Sequence, residues 1–577
     1  MHTEIKPRDR VDDSHLPASL HPVIKQLYAA RGVKSVVELD NSAATLHDFK
    51  LFKDIELASQ ILAEALSLQQ QVLIVGDFDA DGATSTAVLM EGLPQFGFQR
   101  VDYLVPDRFS LGYGLSPALA EQIVAIKPDL VITVDNGISC IRGVEIVKQA
   151  GIKVIVTDHH LQGDELPCAD AIVNPNRLDC DFPSKSIAGV GVAFYLLIAL
   201  RHYLRAQNYF MEQNVAMPNL AALLDIVALG TVADVVALDA NNRTLVYQGL
   251  ARIRSGQTRP GIQALIEVSN RNNARLSASD FGFALAPRLN AAGRLDDMSL
   301  GIACLLSKDI NQARRIASEL DSLNIERREI EQSMQQEAQA VLERLVLKSQ
   351  EVPDALCLYQ DDWHQGVIGI LAGRLKEKYH RPCIIFAQGD NGEIKGSCRS
   401  IEGLHMRDLL EAINTQHPEL IVKFGGHAMA AGLTILESEF ARFKQVFEQN
   451  VSATLSEEAK QSILLTDGEL PGDCFTMDFA FELQQAGPWG QQFSEPVFQD
   501  VFELVQQRIV GDKHLKLVLK HRSGRLVDAI AFNIDVRAWP NLQATHALFA
   551  YQLDINEFRG KYNLQLIVRE LQAQPNL

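Results

Sequence analysis

The sequence predicts an α/β protein of several domains, and three observations support this fold class. Short apolar segments alternate with helical segments between residues 51 and 300, as in a parallel, doubly wound sheet. Residues 302–352 contain neither Gly nor Pro, and their apolar positions recur at helical spacing. The chain has 577 residues, too many for one hydrophobic core, so several domains of roughly 150 residues each are expected.

The first region supplies the predicted sheet. Residues 1–50 are expected to form a polar N-terminal extension with a short helix at 22–30, and residues 51–300 the first α/β domain. Its helices are expected at 57–68, 83–93 and 138–149. Its strands are expected at 71–75, 101–105, 130–134, 153–157 and 171–173.

The remaining regions complete the architecture. Residues 301–352 predict a long connecting helix with one interruption, residues 353–457 a second and smaller α/β domain, and residues 458–577 a third domain. Successive short strands with polar turns predict a small β-barrel in this third domain. Its strand-like segments lie at 498–510, 514–519, 526–533, 547–553 and 562–569.

Composition restricts the function classes. The net charge of −18 argues against a nucleic-acid partner unless bound cations or a locally basic segment compensate, and residues 513–525 are such a segment. The eight cysteines include no CxxC pair, which disfavours a zinc cluster or a disulfide framework. No apolar signal core or membrane span is evident, so a cytoplasmic location is expected.

Acidic and histidine residues follow three of the predicted strands. The sequence reads GDFDADG at 76–82, VDNG at 134–137 and TDHH at 157–160. Ligands of open α/β sheets bind outside the carboxyl ends of the strands, so these side chains are expected to converge. Clustered carboxylates repel one another unless cations compensate, and oxygen ligands with imidazole suit Mn²⁺ or Mg²⁺. The number of acids favours a pair of divalent ions, the usual arrangement for displacement at phosphorus.

Each motif also has a simpler interpretation. GDFDADG alone could cap the helix that follows it, and VDNG alone is a common turn. TDHH after a buried strand is less common. Their joint position at three strand ends favours the metal site.

These motifs, together with GTVAD at 230–234, resemble the DHH phosphoesterase family in order and spacing. The resemblance implies a parallel-sheet DHH domain joined by the long helix to a DHH-associated domain. It assigns Asp77 and Asp79 to one metal ion and Asp81, His159 and Asp234 to the other, with Asp135 as a bridging, catalytic ligand. It further implies that His160 contacts the scissile phosphate or assists the leaving group, and that Asp158 orients the histidines.

One position departs from the family pattern. Many members carry a histidine four residues before the second acid of the first motif, whereas this chain has Val75 there. Asp77 is expected to take its place as a ligand.

Further motifs resemble the single-strand-specific 5′→3′ DNA exonucleases of that family. FGGHAMAAG at 424–432 resembles the DHH-associated signature, in which His427 would contact substrate. The other matching segments are PDRFSLGYG at 106–114, APRLNAAGR at 286–294, WHQGVIG at 363–369, GSCRS at 396–400 and PWG at 488–490.

The resemblance also implies substrate contacts and partners. Arg108, Ser397 and Arg399 would hold a terminal 5′-phosphate, Tyr113 would stack on a base and Arg288 would bind substrate. For each, a surface ion pair or a core aromatic is the simpler alternative. The C-terminal barrel would be an OB-fold that binds single-stranded DNA. Single-strand-binding protein and a RecQ-type helicase are the expected protein partners.

The expected activity is metal-dependent 5′→3′ hydrolysis of single-stranded DNA to 5′-mononucleotides in recombination and repair. A first alternative is a DHH-family phosphodiesterase acting on short oligonucleotides or cyclic dinucleotides, which would not need the barrel. A second is a non-catalytic DNA-binding scaffold, which the retained acids at 79, 81, 135 and 234 disfavour.

Overall fold

The computed structural model describes residues 3–109, 111–349, 352–558 and 560–574. The chain divides into two compact units. We call Arg8–Asn324 with Asp467–Leu577 the larger unit, and Met1–Pro7 with Ile325–Thr466 the smaller unit. Each is described by itself.

The elements within the described residues are numbered in chain order. The strands are β1 Glu4–Pro7, β2 Val72–Val75, β3 Val101–Leu104, β4 Leu130–Val134, β5 Lys153–Thr157, β6 Ala171–Val173, β7 Leu356–Tyr359, β8 Cys383–Gln388, β9 Glu393–Arg399, β10 Lys423–Gly426, β11 Ala430–Leu436, β12 Ile463–Thr466, β13 Phe498–Val510, β14 His514–Lys520, β15 Leu526–Ala531, β16 His546–Phe558 and β17 Lys561–Ala573. The α-helices are α1 Pro22–Ala30, α2 Ile55–Ser67, α3 Ala80–Gly92, α4 Pro117–Ile126, α5 Ile141–Gln149, α6 Gly189–Ala206, α7 Tyr209–Glu212, α8 Leu224–Ala233, α9 Ala240–Arg254, α10 Pro260–Val268, α11 Ala278–Asp280, α12 Ala286–Leu295, α13 Ser299–Leu306, α14 Ile310–Ser349, α15 Ile368–Tyr379, α16 Met406–Gln416, α17 Phe440–Thr454 and α18 Met477–Gln485.

The larger unit is built around a parallel sheet in the order β3-β2-β4-β5-β6. Strands β2, β4 and β6 are buried along their whole length because helices cover both faces of the sheet. The register pairs Val75 with Thr133 and Val134 with Thr157, so β2, β4 and β5 end close together. The five strands expected from the sequence are confirmed, and the three motif-bearing strand ends share one edge.

The long helix contains the one interruption that was expected. Helix α13 ends at Leu306 and α14 begins at Ile310. Between them the Ser307 hydroxyl donates to the Asp309 carbonyl at 3.0 Å, and the Asp309 carboxylate accepts from the Gln312 amide at 2.7 Å. A side chain that caps the next helix in this way stops α13 and starts α14.

The smaller unit contains a mixed sheet in the order β10-β11-β9-β8-β7, in which only β7 and β8 run parallel. One apolar cluster on this unit combines α16 and α17 with the sheet, and a second combines α15 with the C-terminal half of α14. In addition, β1 pairs in parallel with β12, a pairing that the sequence did not predict.

The C-terminal segment forms a closed barrel in the order β13-β14-β15-β17-β16, which confirms the expected barrel. Its interior residues, such as Phe502 and Tyr551, belong to the same buried cluster as the apolar residues around the parallel sheet. The barrel is therefore continuous with the larger unit. The division into segments 1–50, 51–300, 301–352, 353–457 and 458–577 remains a prediction.

No helix among the described residues has both the length and the apolar character needed to span a bilayer.

Candidate active site

The acidic loop, which we define as residues 77–82, connects β2 to α3. Asp79 is the N-cap of α3, and its Oδ1 accepts from the amides of Asp81 and Gly82, both at 3.0 Å. A Cβ at Gly82 would lie 2.6 Å from the backbone N and O of Asp77. Only glycine fits there, which makes the loop tight enough to present three carboxylates in five residues.

Asp135 follows β4 in a left-handed conformation, with φ of 59°. Its side chain is buried, and the neighbouring Asn136 amide donates to the carbonyls of Val75 and Val134 at 3.1 and 2.8 Å. These bonds tie the end of β4 to the end of β2. Backbone strain of this kind is often found at functional sites.

The Asp158–His160 segment follows β5. The buried Asp158 carboxylate accepts from the amides of Ile138 and His159 at 2.9 and 2.7 Å, and from His160 Nδ1 at 2.7 Å. All its described contacts hold neighbouring groups in place, as expected for an orienting residue.

Asp234 ends α8 and completes the cluster. His159 Nε2 lies 3.0 Å from an Asp135 oxygen, 3.4 Å from an Asp234 oxygen and 3.8 Å from an Asp81 oxygen. Val235, directly after Asp234, has φ of 60°, which is unusual for a β-branched residue. Residues more than 150 positions apart in the sequence thus meet around one imidazole.

Three groups of these residues have the spacing of a metal site, with the ligand atoms of each group within 4.8 Å of one another. They are Asp77 with Asp79 and Asp135; Asp81 with His159 and Asp234; and Asp135 with His159 and His160. The structure therefore brings all six predicted metal ligands together, Asp77 among them, and its replacement of the family histidine remains a prediction.

The electrostatics of the cluster fit a cation. Burial, followed by repulsion from neighbouring carboxylates, raises the pKa of Asp81 to about 7 and the pKa of Asp77, Asp135 and Asp234 well above the usual range. Among the described residues, the buried atoms Asp77 Oδ1, Asp135 Oδ1, His159 Nε2 and Asp234 Oδ2 have no partner in hydrogen-bond geometry, even though His159 Nε2 and Asp135 Oδ1 are 3.0 Å apart. Buried polar atoms are rarely left in this state, and a divalent ion would satisfy both their charge and their lone pairs.

The two histidines differ in protonation. Burial and the adjacent His160 lower the pKa of His159 to about 4, so its ring is neutral, as a metal ligand must be. Burial also disfavours charge on His160, but its hydrogen bond to Asp158 and the charge of that carboxylate outweigh this and raise its pKa to about 9. His160 is therefore the protonated member of the pair.

Arg108 and Tyr113 border the acidic loop. The Arg108 guanidinium lies 4.1 Å from the centre of the Phe78 ring. The Tyr113 hydroxyl donates to the Asp135 carbonyl at 3.0 Å and lies 3.2 Å from His160 Nδ1. The structure thus places both residues beside this group of carboxylates and histidines, which we call the metal cluster because its side chains are candidate metal ligands. Their contacts to substrate remain predictions.

In the smaller unit, Ser397, Arg399 and the start of α15 form a group that we call the cradle. Arg399 Nη1 donates to Ser397 Oγ at 3.3 Å and to the Cys398 carbonyl at 2.8 Å. A Cβ on Gly369, near the N-terminus of α15, would lie 3.0 Å from Ser397 Oγ and 3.2 Å from Arg399 Nη2. A helix N-terminus beside a guanidinium and a hydroxyl favours an anion. Exposed His427 follows β10, and β11 then pairs Ala430 with Arg399.

Arg288 has a different set of contacts from the other predicted substrate residues. It is buried, its Nη2 lies 2.8 Å from Asp321 on α14, and its Nη1 donates to the Ala284 carbonyl at 2.6 Å. These contacts anchor α12, and a role in substrate binding remains a prediction.

Several site residues were not predicted from the sequence. The amides of Gly189 and Val190, at the start of α6, donate to Asp81 at 2.7 and 2.9 Å. Asn174 and Asn176 donate to the carbonyls of His160 and His159 at 3.0 and 2.5 Å. The sequence signals were NPN directly after β6 and the Gly-rich start of an apolar helix, α6.

The chain is similar to known proteins along its whole length. The model of the DHH family N-terminal domain matches residues 71–231, the DHHA1 domain residues 352–453 and the RecJ OB domain residues 466–570. The single-stranded-DNA-specific exonuclease RecJ of Salmonella typhimurium is 53% identical over 569 residues, which cover 98% of this chain and 99% of that protein.

Solved structures of RecJ are similar in fold to this chain. The Mn²⁺ complex of RecJ from Thermus thermophilus matches with a TM-score of 0.80 and 27% identity, over 100% of this chain and 80% of that one. Its Mg²⁺ complex matches with a TM-score of 0.75 and 26% identity, over 100% and 79% respectively.

Proposed function

This chain belongs to the DHH family and, within it, to the RecJ exonucleases, and on that premise we propose that it is a metal-dependent, single-stranded-DNA-specific exonuclease working in the 5′→3′ direction. The products would be 5′-mononucleotides, and the context would be DNA recombination and repair.

The observation that carries the proposal is the composition of the buried cluster. Its ligand atoms form an all-carboxylate group of Asp77, Asp79 and Asp135 and a mixed group of Asp81, His159 and Asp234. Asp135 and His159 also occur together, with His160, in the third group. We infer two ions, because one ion would leave several of the buried carboxylates uncompensated. Mn²⁺ and Mg²⁺ both suit this ligand set, and both are bound by the Thermus thermophilus relative.

The bound ions would supply Lewis acidity at the phosphate and a water of lowered pKa. The chain supplies the rest. The neutral His159 ring offers Nε2 to the cation site, while Asp158 fixes the protonated His160 ring through Nδ1. His160 can then donate a proton or a hydrogen bond to an oxygen on the scissile phosphate. The Tyr113 hydroxyl limits rotation of the His160 ring, because it bonds to the Asp135 carbonyl on its other side.

Polarity would come from recognition of the strand end. We infer that Ser397 and Arg399 bind the terminal 5′-phosphate, that Arg108 also contacts phosphate, and that His427 contacts the strand. Arg399 supports this role because, in the part of the chain that the structure describes, no carboxylate lies within ion-pair distance of its guanidinium. Other buried arginines do have such partners, for example Arg31 with Asp467 and Arg259 with Asp225.

The barrel would hold the strand beyond the active site. In the basic segment 513–525, Lys520 pairs with Glu503, Arg522 pairs with Glu469 and His521 is buried. Arg525 is exposed but donates to the Phe475 carbonyl at 2.9 Å. We propose Lys513 and Lys516 as the phosphate contacts of the segment, and Arg508 lies opposite Lys516 in the register. This hairpin is therefore the part of the barrel that we propose as the DNA track.

Partners and location also belong to the proposal. Single-strand-binding protein and a RecQ-type helicase would supply and open the single strand. A reducing cytoplasm is consistent with eight cysteines that are all free, of which six are buried.

The decisive experiment is digestion of single and double strands labelled at the 5′ or 3′ end, with Mn²⁺, Mg²⁺ or chelator. We expect mononucleotides from the 5′ end of single strands only, and no product with chelator. Release from the 3′ end would overturn the polarity. Short oligonucleotides and cyclic dinucleotides are tested in parallel, and cleavage restricted to them would favour the other phosphodiesterase function. Metal-dependent binding without cleavage would favour a scaffold.

A further inference from the structure

Helix α3, which follows the acidic loop, has unusual partners for its first amides. The initial amides of a helix have no partner within the helix itself. Here Asp79 Oδ1 accepts from the amides of Asp81 and Gly82. The amide of Ala80, between the two ligand residues Asp79 and Asp81, instead donates to Asn290 Oδ1 at 2.9 Å. One hydrogen bond to the acidic loop thus comes from α12, 210 residues further along the chain.

A second contact holds α12 against the same loop. A Cβ on Gly293 would lie 1.8 Å from the Phe78 carbonyl oxygen, so the backbones are in direct contact there. Gly293 is about one turn after Asn290. Helix α12 therefore meets the acidic loop on both sides of Asp79.

Helix α12 is itself fixed from behind. The buried Arg288 forms an ion pair with the partly exposed Asp321 on α14, and Leu289 is fully buried. An acceptor on a helix held in this way cannot follow a shifting loop, so it limits the positions that the Ala80 amide can take.

We propose that Asn290 is a positioning residue for the metal ligands of the acidic loop. Its Oδ1 fixes the Ala80 peptide and thereby the directions in which Asp79 and Asp81 present their carboxylates. This role requires only the acceptor oxygen of the Asn290 side chain. The ligand that the acidic loop would bind is a divalent cation. The part of this proposal that concerns cations rests on the proposed function, whereas the restraint on the loop does not.

The restraint is tested on the metal-free protein by hydrogen exchange of the peptide covering residues 76–86. Asn290→Ala removes the acceptor, and Asn290→Asp keeps an oxygen in the same place. Asn272→Ala is the matched control, because the Asn272 side chain accepts from a backbone amide, that of Ala274 at 3.0 Å, outside the acidic loop. We expect exchange in 76–86 to rise about ten-fold in Asn290→Ala only, the effect of losing roughly one hydrogen bond. Unchanged exchange, or an equal rise in Asn272→Ala, would overturn the proposal.

The effect on the cation is tested by calorimetric titration with Mn²⁺ and by steady-state kinetics on single-stranded DNA. We expect Asn290→Ala to weaken Mn²⁺ binding and lower kcat by about ten-fold each, because supporting partners of ligands have effects of this size. KM for DNA should stay within about two-fold, since the residue acts through the loop. Asn290→Asp should restore most of the Mn²⁺ affinity and most of kcat.

The two tests separate the possible failures. A changed KM with unchanged Mn²⁺ binding would mean that Asn290 binds substrate, and would overturn the proposal. If Asn290→Ala does not fold, Asn290→Asp decides: recovery of Mn²⁺ binding supports the acceptor role, and loss of binding in a folded protein overturns it. A third outcome is that Asn290→Ala exchanges faster but neither the variant nor the wild type binds Mn²⁺. That outcome would contradict the proposed function and still support the restraint on the loop.

Discussion

The metal cluster of the larger unit and the cradle of the smaller unit are opposite in charge and alike in one respect. The cluster buries carboxylates that repel one another, whereas the cradle holds a partly buried arginine without an acidic partner among the described residues. In both sites, burial of a charge that the protein does not neutralise lowers the free energy of unfolding. Under the proposed function, the uncompensated charge indicates the sign of the ligand that each site would bind, a cation in the first site and an anion in the second.

The two sites differ in how their charge is supported. The metal ligands are fixed by a dense hydrogen-bond network that includes the amides of Gly189 and Val190 and the carbonyls held by Asn174 and Asn176. The cradle depends on two side chains and the start of one helix. We therefore expect substitutions in the metal cluster to abolish hydrolysis. Substitutions in the cradle should only reduce recognition of the strand end.

The largest effect is expected from Asp135→Asn, which removes one charge from the position shared by two of the ligand groups. Turnover should fall by about a thousand-fold or more, because under the proposed function Asp135 would bridge two ions. Binding of single-stranded DNA should persist. In chelator the variant should melt at a higher temperature than the wild type, since a buried repulsive charge is gone. Equal melting temperatures would contradict the repulsion on which the cluster interpretation depends.

The next effect tests the cradle. Arg399→Ala should reduce the preference for 5′-phosphorylated over 5′-hydroxyl ends by about ten-fold, the size of one charge-assisted hydrogen bond. Arg399→Lys should recover part of the preference, because it keeps the charge and loses the planar fork. Arg407→Ala, an exposed arginine on α16, is the control. If the ratio of activity on 5′-phosphorylated and 5′-hydroxyl ends is the same in the wild type and all variants, the cradle does not take part in end recognition.

A smaller effect is expected on the barrel. Replacing Arg508 and Lys516 by Ala should weaken DNA binding and lower the slope of log K against log salt by about two, one for each phosphate contact. Lys520→Ala should change the slope less, because Glu503 already pairs with Lys520 at 2.8 Å. Point variants are used because the core of the barrel is continuous with that of the larger unit, so deleting the barrel would disturb the fold.

The smallest effect concerns the support of the cradle. Trp363 Nε1 donates to Glu337 on α14 at 2.8 Å, and this contact anchors the segment that begins α15. Trp363→Phe should cost about 1 kcal/mol, because it removes one hydrogen bond to a carboxylate that is exposed and still accepts from the Ser333 hydroxyl. Thermal unfolding should show a lower midpoint, with end preference unchanged. A lost end preference at normal stability would mean that the tryptophan acts on substrate directly.

The sequence predicted the metal cluster well because of a general property of parallel sheets. Strands β2, β4 and β5 are short and apolar, so their ends could be located, and such ends lie at one edge. Asp234 was found only through the family motif, because it ends a helix and no strand pattern points to it.

Other features depend on packing between distant segments and could not be read from local patterns. The segment 513–525 looks uniformly basic, yet three of its positions are paired or buried. Likewise, nothing near Arg288 in the sequence indicates its partner Asp321 on another helix. Side-chain type shows what a residue can do, whereas the available partner decides what it does.

The pairing of β1 with β12 has a consequence for how the protein is made. Thr3 and Ser462, at the start of this ribbon, are 459 residues apart. Strand β1 is translated long before its partner and must stay unpaired until residues 463–466 have also left the ribosome. Completion of the ribbon therefore follows translation of β12, and a product terminated before residue 463 lacks the ribbon whatever else has folded.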